Sequence, residues 1–302
     1  MTGERSFDVI IVGGSYAGLS AAMALGRALR KVLIIDSGKP CNRQTPHSHN
    51  FLTQDGKTPA EIAQIGKEQV LKYSTVSFHT GLATAGSKTA DGFEITTAEG
   101  ETFAGRKLIF ATGINDIPPA IEGFAACWGI SVIHCPYCHG YEVKAEKTGI
   151  LANGDMAFDF SKLIFNWTKD LTIFTNGPST LQAAQLEKLA SHHINVVEKE
   201  IKAIAHQEGY LRELVFADGT TFPLKALYAR IGFTQHCPVP EQLGCELTEQ
   251  GYLKVDAMYK TSLPGVYACG DNTSMMRSVA NAVASGTFAG AVANKDLVEE
   301  TF

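Results

Sequence analysis

Phe7-Asp8-Val9-Ile10-Ile11-Val12-Gly13-Gly14-Ser15-Tyr16-Ala17-Gly18 opens the chain's first structural unit, and Lys31-Val32-Leu33-Ile34-Ile35-Asp36 completes it. The first six residues form an apolar run of the kind buried in a parallel strand. The glycines supply a tight turn, Leu19–Leu29 reads as a helix, and residues 31–36 as a second strand. Asp36 lies eighteen residues after Gly18, close to the spacing of about twenty at which an acid meets a nucleotide ribose. Ser15 replaces the middle glycine of the usual fingerprint, and it is still small enough for a pyrophosphate to approach the backbone. Strand, turn, helix and acid together predict a βαβ nucleotide-binding start. An ordinary strand–turn–helix is the alternative.

Further along, the plan recurs. Thr148–Ala157 begins another strand–turn–helix, and Leu171–Phe174 supplies its second strand. Ala217–Gly232 can be laid on Ala98–Gly113 without gaps, with Ala, Gly, Thr, Phe, Leu and Gly coinciding. This predicts an internal duplication: α/β class, with two Rossmann-like, three-layer domains, each carrying an inserted hairpin layer. Phe93–Thr97 and Thr102–Phe103 read as the first hairpin, and Pro59 to about Tyr73 as a helix. Leu108–Gly113 reads as a buried strand ending where a backbone can lie against a nucleotide. Asn115–Pro119, with two prolines, reads as a linker. Leu263–Asp271 returns as a turn, a strand and an acid at the strand's C-terminal end, where open parallel sheets bind ligands. Ser278–Val298, rich in Ala and Gly, can pack closely on a flat ligand or on another helix.

The second focus is His134-Cys135-Pro136-Tyr137-Cys138-His139-Gly140-Tyr141-Glu142. Two cysteines at this spacing can close a disulfide, open it and exchange it, and one thiol is commonly held as thiolate. Pro136 stiffens the loop. His139 can carry a proton between pH 5 and 8. The string also matches a haem-attachment pattern, which needs an exported chain. The apolar run Phe7–Leu25, broken by Asp8 and three glycines, reads as buried structure and not as an export signal. A zinc site would want a second ligand pair, and Cys237 and Cys245 do not provide one. A pair of inert buried thiols is the remaining alternative. His47 and His49 lie in a loop-like stretch, where they either face a ligand or belong to a polar surface.

The 302 residues suffice for two ordinary domains. A net charge of −5 gives no basic field for nucleic acid. Seven cysteines, mostly scattered, fit a reducing cytoplasm better than a disulfide framework. No stretch reads as a membrane span.

These motifs resemble the thioredoxin-reductase-like, pyridine nucleotide-disulfide oxidoreductase family over nearly the whole chain. The resemblance implies a discontinuous FAD-binding domain, residues 1–116 and 246–302, around a central redox domain, residues 117–245. It implies FAD at Gly13, Ser15, Gly18, Asp36, Gly113, Gly270 and Asp271. Cys135 and Cys138 would be the redox pair, Cys138 facing the flavin and Cys135 exchanging with substrate. His139, helped by His134, would carry the proton. A homodimer, and hinges at 114–119 and 244–250, follow from the same analogy.

The chain departs from the family pattern in two places. His139 stands where thioredoxin reductases usually have Asp, and it remains a competent acid/base. In the second nucleotide turn the first glycine is Ala152, and no Arg cluster follows Phe174 for an NADPH phosphate, so NADPH binding is expected to be weakened. Asn42-Arg43, His47-x-His49-Asn50-Phe51 and Cys-Pro-Tyr-Cys-His-Gly-Tyr-Glu are similar to the flavoprotein dithiol oxidases of natural products such as gliotoxin and holomycin. Three expectations compete: a reductase acting on a thioredoxin-like protein, an oxygen-using oxidase of a small-molecule dithiol, and a non-catalytic flavin-binding redox sensor.

Overall fold

A computed structural model describes residues 6–302, and residues 1–5 of the expected first domain lie outside the described residues. In chain order the first elements are β1 (Ser6–Val12), α1 (Tyr16–Arg27), β2 (Val32–Asp36), α2 (Pro59–Val70), β3 (Val76–Thr80), β4 (Ala83–Lys88), β5 (Phe93–Thr97), β6 (Thr102–Phe110) and β7 (Ile114–Ile117). The middle of the chain forms α3 (Phe124–Cys127), β8 (Val132–Ile133), α4 (Pro136–His139), β9 (Thr148–Leu151), α5 (Gly154–Ile164), β10 (Leu171–Phe174), α6 (Ala183–Ser191) and β11 (Asn195–Val197). It continues with β12 (Ile201–Gln207), β13 (Tyr210–Phe216), β14 (Thr221–Pro223), β15 (Ala226–Ala229), β16 (Gly232–Gln235), α7 (Val239–Gln242), β17 (Val266–Ala268) and α8 (Val279–Glu299).

Two compact units result. The first comprises Met1–Arg43, Asn50–Asn115 and Phe233–Phe302; the second comprises Gln44–His49 and Asp116–Gly232. The return to the first unit therefore comes at 233, earlier than the 246 drawn from the sequence. Cys237, Val239 and Cys245 account for this, because they are buried in one core with Phe93, Ile95 and Phe110. The stretch expected as a linker begins as strand β7, which pairs with β16, and the two prolines follow it.

In the first unit the sheet order is β3-β2-β1-β6-β5-β4, with β17 also on β6. The strands β3, β2, β1, β6 and β17 run parallel, and β4-β5-β6 is an antiparallel layer. Side chains alternate between faces along each strand. Val9, Ile11, Ile34 and Ile109 pack toward α1 and α8. Ile10, Leu33, Ile35, Leu108 and Phe110 pack on the opposite side with Phe93 and Ile95. Both faces are covered, which explains the nearly unbroken apolar runs in these strands.

Helix α1 sits unusually close to its neighbours. A Cβ on Gly18 would stand 1.8 Å from the Gly13 carbonyl oxygen, one on Gly286 2.1 Å from the Ala17 oxygen, and one on Gly290 2.6 Å from the Ala21 oxygen. The small residues of α8 thus serve helix–helix contact along α1. Ser20 donates to the Val283 carbonyl at 2.7 Å and fixes the register of the pair.

The second unit repeats the design. Its parallel sheet has the order β11-β10-β9-β15-β8, and β12-β13-β14 form the separate layer. Ile133, Ile150, Ile173 and Tyr228 face α5 residues Ala157, Phe160 and Ile164. Val132, Phe174, Leu227 and Ala229 face Ile204, Leu214 and Phe216. The duplicated hairpin turns match bond for bond. Gly100 (φ +82°) donates to Thr97 at 2.9 Å, and Gly219 (φ +83°) to Phe216 at 3.0 Å. The copies differ next to the turn: β6 is one continuous strand, whereas its counterpart is divided into β14 and β15.

Among the described residues no helix is long and apolar enough to cross a membrane. Replacing Gly18 by Ala is expected to destabilise the fold by about 3 kcal/mol, since a backbone oxygen stands where the methyl would go. Gly38→Ala (φ +73°, open space around the Cβ position) should cost about 1 kcal/mol of backbone strain. Denaturant unfolding of the two variants measures the difference.

Candidate active site

All seven residues expected around the cofactor lie in the first unit, at or just after the C-terminal ends of β1, β2, β6 and β17. Gly13, Ser15 and Gly18 form the turn and first helical residues after β1, and Asp36 ends β2. Gly113 follows β6, and Gly270 and Asp271 follow β17. Asp36 accepts the backbone N–H groups of Gly14 and Gly38, which holds its carboxylate at the turn. The Asp271 carboxylate lies 3.8 Å from Arg277 Nε and 3.9 Å from Cys41 Sγ. Asn272, fully buried, donates to Phe110 O at 2.9 Å and Thr112 Oγ1 at 3.2 Å, tying the β17 and β6 ends together.

This edge suits the FAD implied by the resemblance. The α1 N-terminus has no side-chain cap: Ser15 is the N-cap residue, but its hydroxyl makes no capping bond. The helix's positive end and first-turn N–H groups are therefore offered to an anion. Gly113 adopts φ +64°, and nothing lies within 4 Å of its Cβ position.

The corresponding turn of the second unit is arranged differently. Asn153 caps α5, its Oδ1 accepting from Gly154 N at 2.8 Å, Thr180 N at 2.8 Å and Thr180 Oγ1 at 3.2 Å. Its Nδ2 donates to Pro178 O at 2.9 Å. Asp155 adds negative charge in the first turn of the helix, and Gln185 holds it at 2.7 Å. After β10, Asn176 turns inward to accept from Ile201 N at 2.6 Å, and 175–182 contains neither Lys nor Arg.

The expected redox residues also lie in the second unit, between β8 and β9. Cys135 and Cys138 are joined as a disulfide, with Cα atoms 5.3 Å apart. Cys135 is the N-cap of the short helix α4, and its Sγ accepts the Cys138 N–H at 3.2 Å. Pro136 occupies the first helical turn, where its missing N–H costs nothing. Tyr137 and Tyr141 are exposed beside the pair, and Tyr137 meets Trp167 edge-on at 5.4 Å. Gly140 must be small, because a Cβ there would stand 2.9 Å from the Tyr228 hydroxyl. That hydroxyl is buried without a hydrogen-bond partner among the described residues, and burial raises its pKa.

His139 ends α4 and is half-buried. Burial lowers its pKa; Glu142 pulls it back up, and His49 pushes it further down. His49 Nε2 lies 3.5 Å from Glu142 Oε1. His134 packs its ring 5.7 Å from Trp128. Sequence reasoning left His49 between surface and site. The fold places it beside the redox loop, because Gln44–His49 joins the second unit. By contrast, burial pushes the Cys269 thiol up to about 12 and the Cys237 thiol up to about 11.

Comparison with known proteins agrees with this architecture. The family model "Pyridine nucleotide-disulphide oxidoreductase" matches residues 7–286. Thioredoxin reductase tcpT of Claviceps purpurea is 33% identical over 311 residues, covering 99% of this chain and 97% of its own. A putative thioredoxin reductase TrxB from Bacillus anthracis superposes with a TM-score of 0.93 at 31% identity, covering 98% of this chain and 100% of its own. An oxidoreductase from Agrobacterium tumefaciens gives 0.91 at 38% identity, with 97% and 99% covered. The chain thus belongs to the pyridine nucleotide-disulphide oxidoreductase family, as a thioredoxin reductase-like, FAD-dependent enzyme.

Proposed function

We propose that the protein is an FAD-dependent dithiol/disulfide oxidoreductase in which Cys135 and Cys138 exchange with a substrate disulfide or dithiol. The observation that carries this reading is the Cys135–Cys138 disulfide beside a half-buried imidazole whose pKa is lowered. A substrate thiolate attacks Cys135 Sγ, the Cys135–Cys138 bond breaks, and Cys138 leaves as thiolate. The second substrate thiolate then attacks the mixed disulfide and releases Cys135. One substrate disulfide forms as one protein disulfide is lost, so the electrons balance, and the two substrate protons end on the protein thiols. The reverse sequence reduces a disulfide. His139 holds the proton in transit. Its lowered pKa keeps it neutral, and so able to accept a proton, at a pH below the ordinary imidazole midpoint.

Gly13, Ser15, Gly18, Asp36, Gly113, Gly270 and Asp271 would hold FAD, which would supply a two-electron couple for the dithiol. The substrate is a thioredoxin-like protein or a small-molecule dithiol or disulfide.

One observation favours the oxidase direction, with a small dithiol as electron donor and oxygen as final acceptor. The α5 N-terminus is capped by Asn153 and bears Asp155, and no cation follows β10. A nicotinamide dinucleotide would have to displace Asn153 from Gly154 and Thr180 and place its phosphates beside a carboxylate. NADPH does not fit this turn as it stands.

Cys135→Ser and Cys138→Ser are each expected to abolish exchange, measured as consumption of a small dithiol by the flavin-loaded protein. His139→Ala should retain it at a rate lower by about 10²- to 10⁴-fold, the usual contribution of a general acid–base. No dithiol consumption by the flavin-loaded wild type would instead favour the non-catalytic redox-sensor reading. Calorimetric titration of the loaded protein with NADPH should show no saturable heat; saturable binding would return the electron source to a nicotinamide.

A further inference from the structure

The proton acceptor of the proposed reaction does not stand alone. Three titratable side chains from two distant parts of the chain meet beside the disulfide. His139 comes from α4, Glu142 from the turn that follows, and His49 from Gln44–His49, which folds into the same unit. His49 Nε2 and Glu142 Oε1 are 3.5 Å apart, and Glu142 also acts on His139. We propose that His49 and His139 share the single carboxylate of Glu142, which makes His49 the positioning residue that sets when His139 carries a proton. This rests on the role given to His139 above.

The physical argument is one of charge. A carboxylate beside two imidazoles favours the first proton on either ring. Once that proton is bound, the pair is neutralised, and the second ring gains little from Glu142 while feeling the first cation. Such sites titrate as a coupled set, with the positive charge on one ring at a time. Burial disfavours the charged form of His139, whereas the His49 side chain keeps 22% of its surface exposed and Glu142 keeps 41%. A proton taken from a thiol by His139 is thus driven off when His49 is protonated. When His49 is neutral, Glu142 holds that proton on His139.

Other groups recorded among the described residues flank this cluster. On the His139 side they are the disulfide sulfurs on its own turn, with Tyr228 from β15 also within the field of Glu142. On the His49 side stands His47, its ring centroid 6.4 Å away. Tyr228 is held neutral by burial.

The test follows the His139 imidazole by NMR through a pH titration of the full-length, flavin-loaded protein with its disulfide intact. In His49→Gln, His139 should titrate at higher pH than in the wild type, because Glu142 then serves it alone. In Glu142→Gln it should titrate at lower pH, and Glu142→Asp should restore part of the shift. The acid limb of the exchange-rate profile should move in the same directions. A His139 curve unmoved by both His49→Gln and Glu142→Gln would overturn the proposal. If the titration moves and the rate profile stays fixed, the sharing stands, and the proton-carrying role of His139 is what fails.

Discussion

The fold depends on backbone meeting backbone around α1. Gly18 lies against the Gly13 carbonyl, and Gly286 and Gly290 lie against Ala17 and Ala21, with no room for a methyl at any of the three contacts. This packing seats α1 on the turn after β1 and points its uncapped N-terminus along the C-terminal edge of the sheet. It also brings α8 onto α1. The chain's last helix thereby completes the unit that its first strand began.

The second unit shows what the same plan becomes when those constraints are relaxed. Its sheet is parallel, its hairpin turn repeats the hydrogen bonds of the first, and its helix α5 starts at the equivalent place. Yet the start of α5 is closed by an amide side chain of its own, whereas the start of α1 has no side-chain cap. The second unit thus has a nucleotide-binding-type sheet and helix with that start capped. It carries a disulfide loop whose second cysteine, histidine and glutamate follow within one short stretch.

Much of this was legible in the sequence because it is local. The apolar run Val9-Ile10-Ile11-Val12, the spacing from Gly18 to Asp36, and the Cys135-x-x-Cys138-His139 string are all local signals. The repeat of Ala98–Gly113 in Ala217–Gly232 was legible for the same reason, and the matching turns bear it out. What escaped is long-range. Strands β3 and β4 are short and half-polar, and they are defined by the partners they pair with. Residues 233–245 join the first unit through buried Cys237 and Val239, a contact no periodicity announces. His49 and Glu142 are far apart in sequence, and only the excursion of Gln44–His49 brings them together. Asn153 looked like a turn residue, and its four hydrogen bonds became visible only with the loop at 178–180 in place.

We propose that the site's chemistry rests on the Cys135–Cys138 disulfide, beside an imidazole whose pKa burial lowers and Glu142 raises. The most direct measurement is anaerobic mixing of the yellow, flavin-loaded protein with a small dithiol, with NADPH and with NADH, following the flavin absorbance. The account predicts bleaching by the dithiol that disappears in Cys135→Ser, and none with either nucleotide. Rapid bleaching by NADPH, or dithiol bleaching that survives the loss of Cys135, would contradict it.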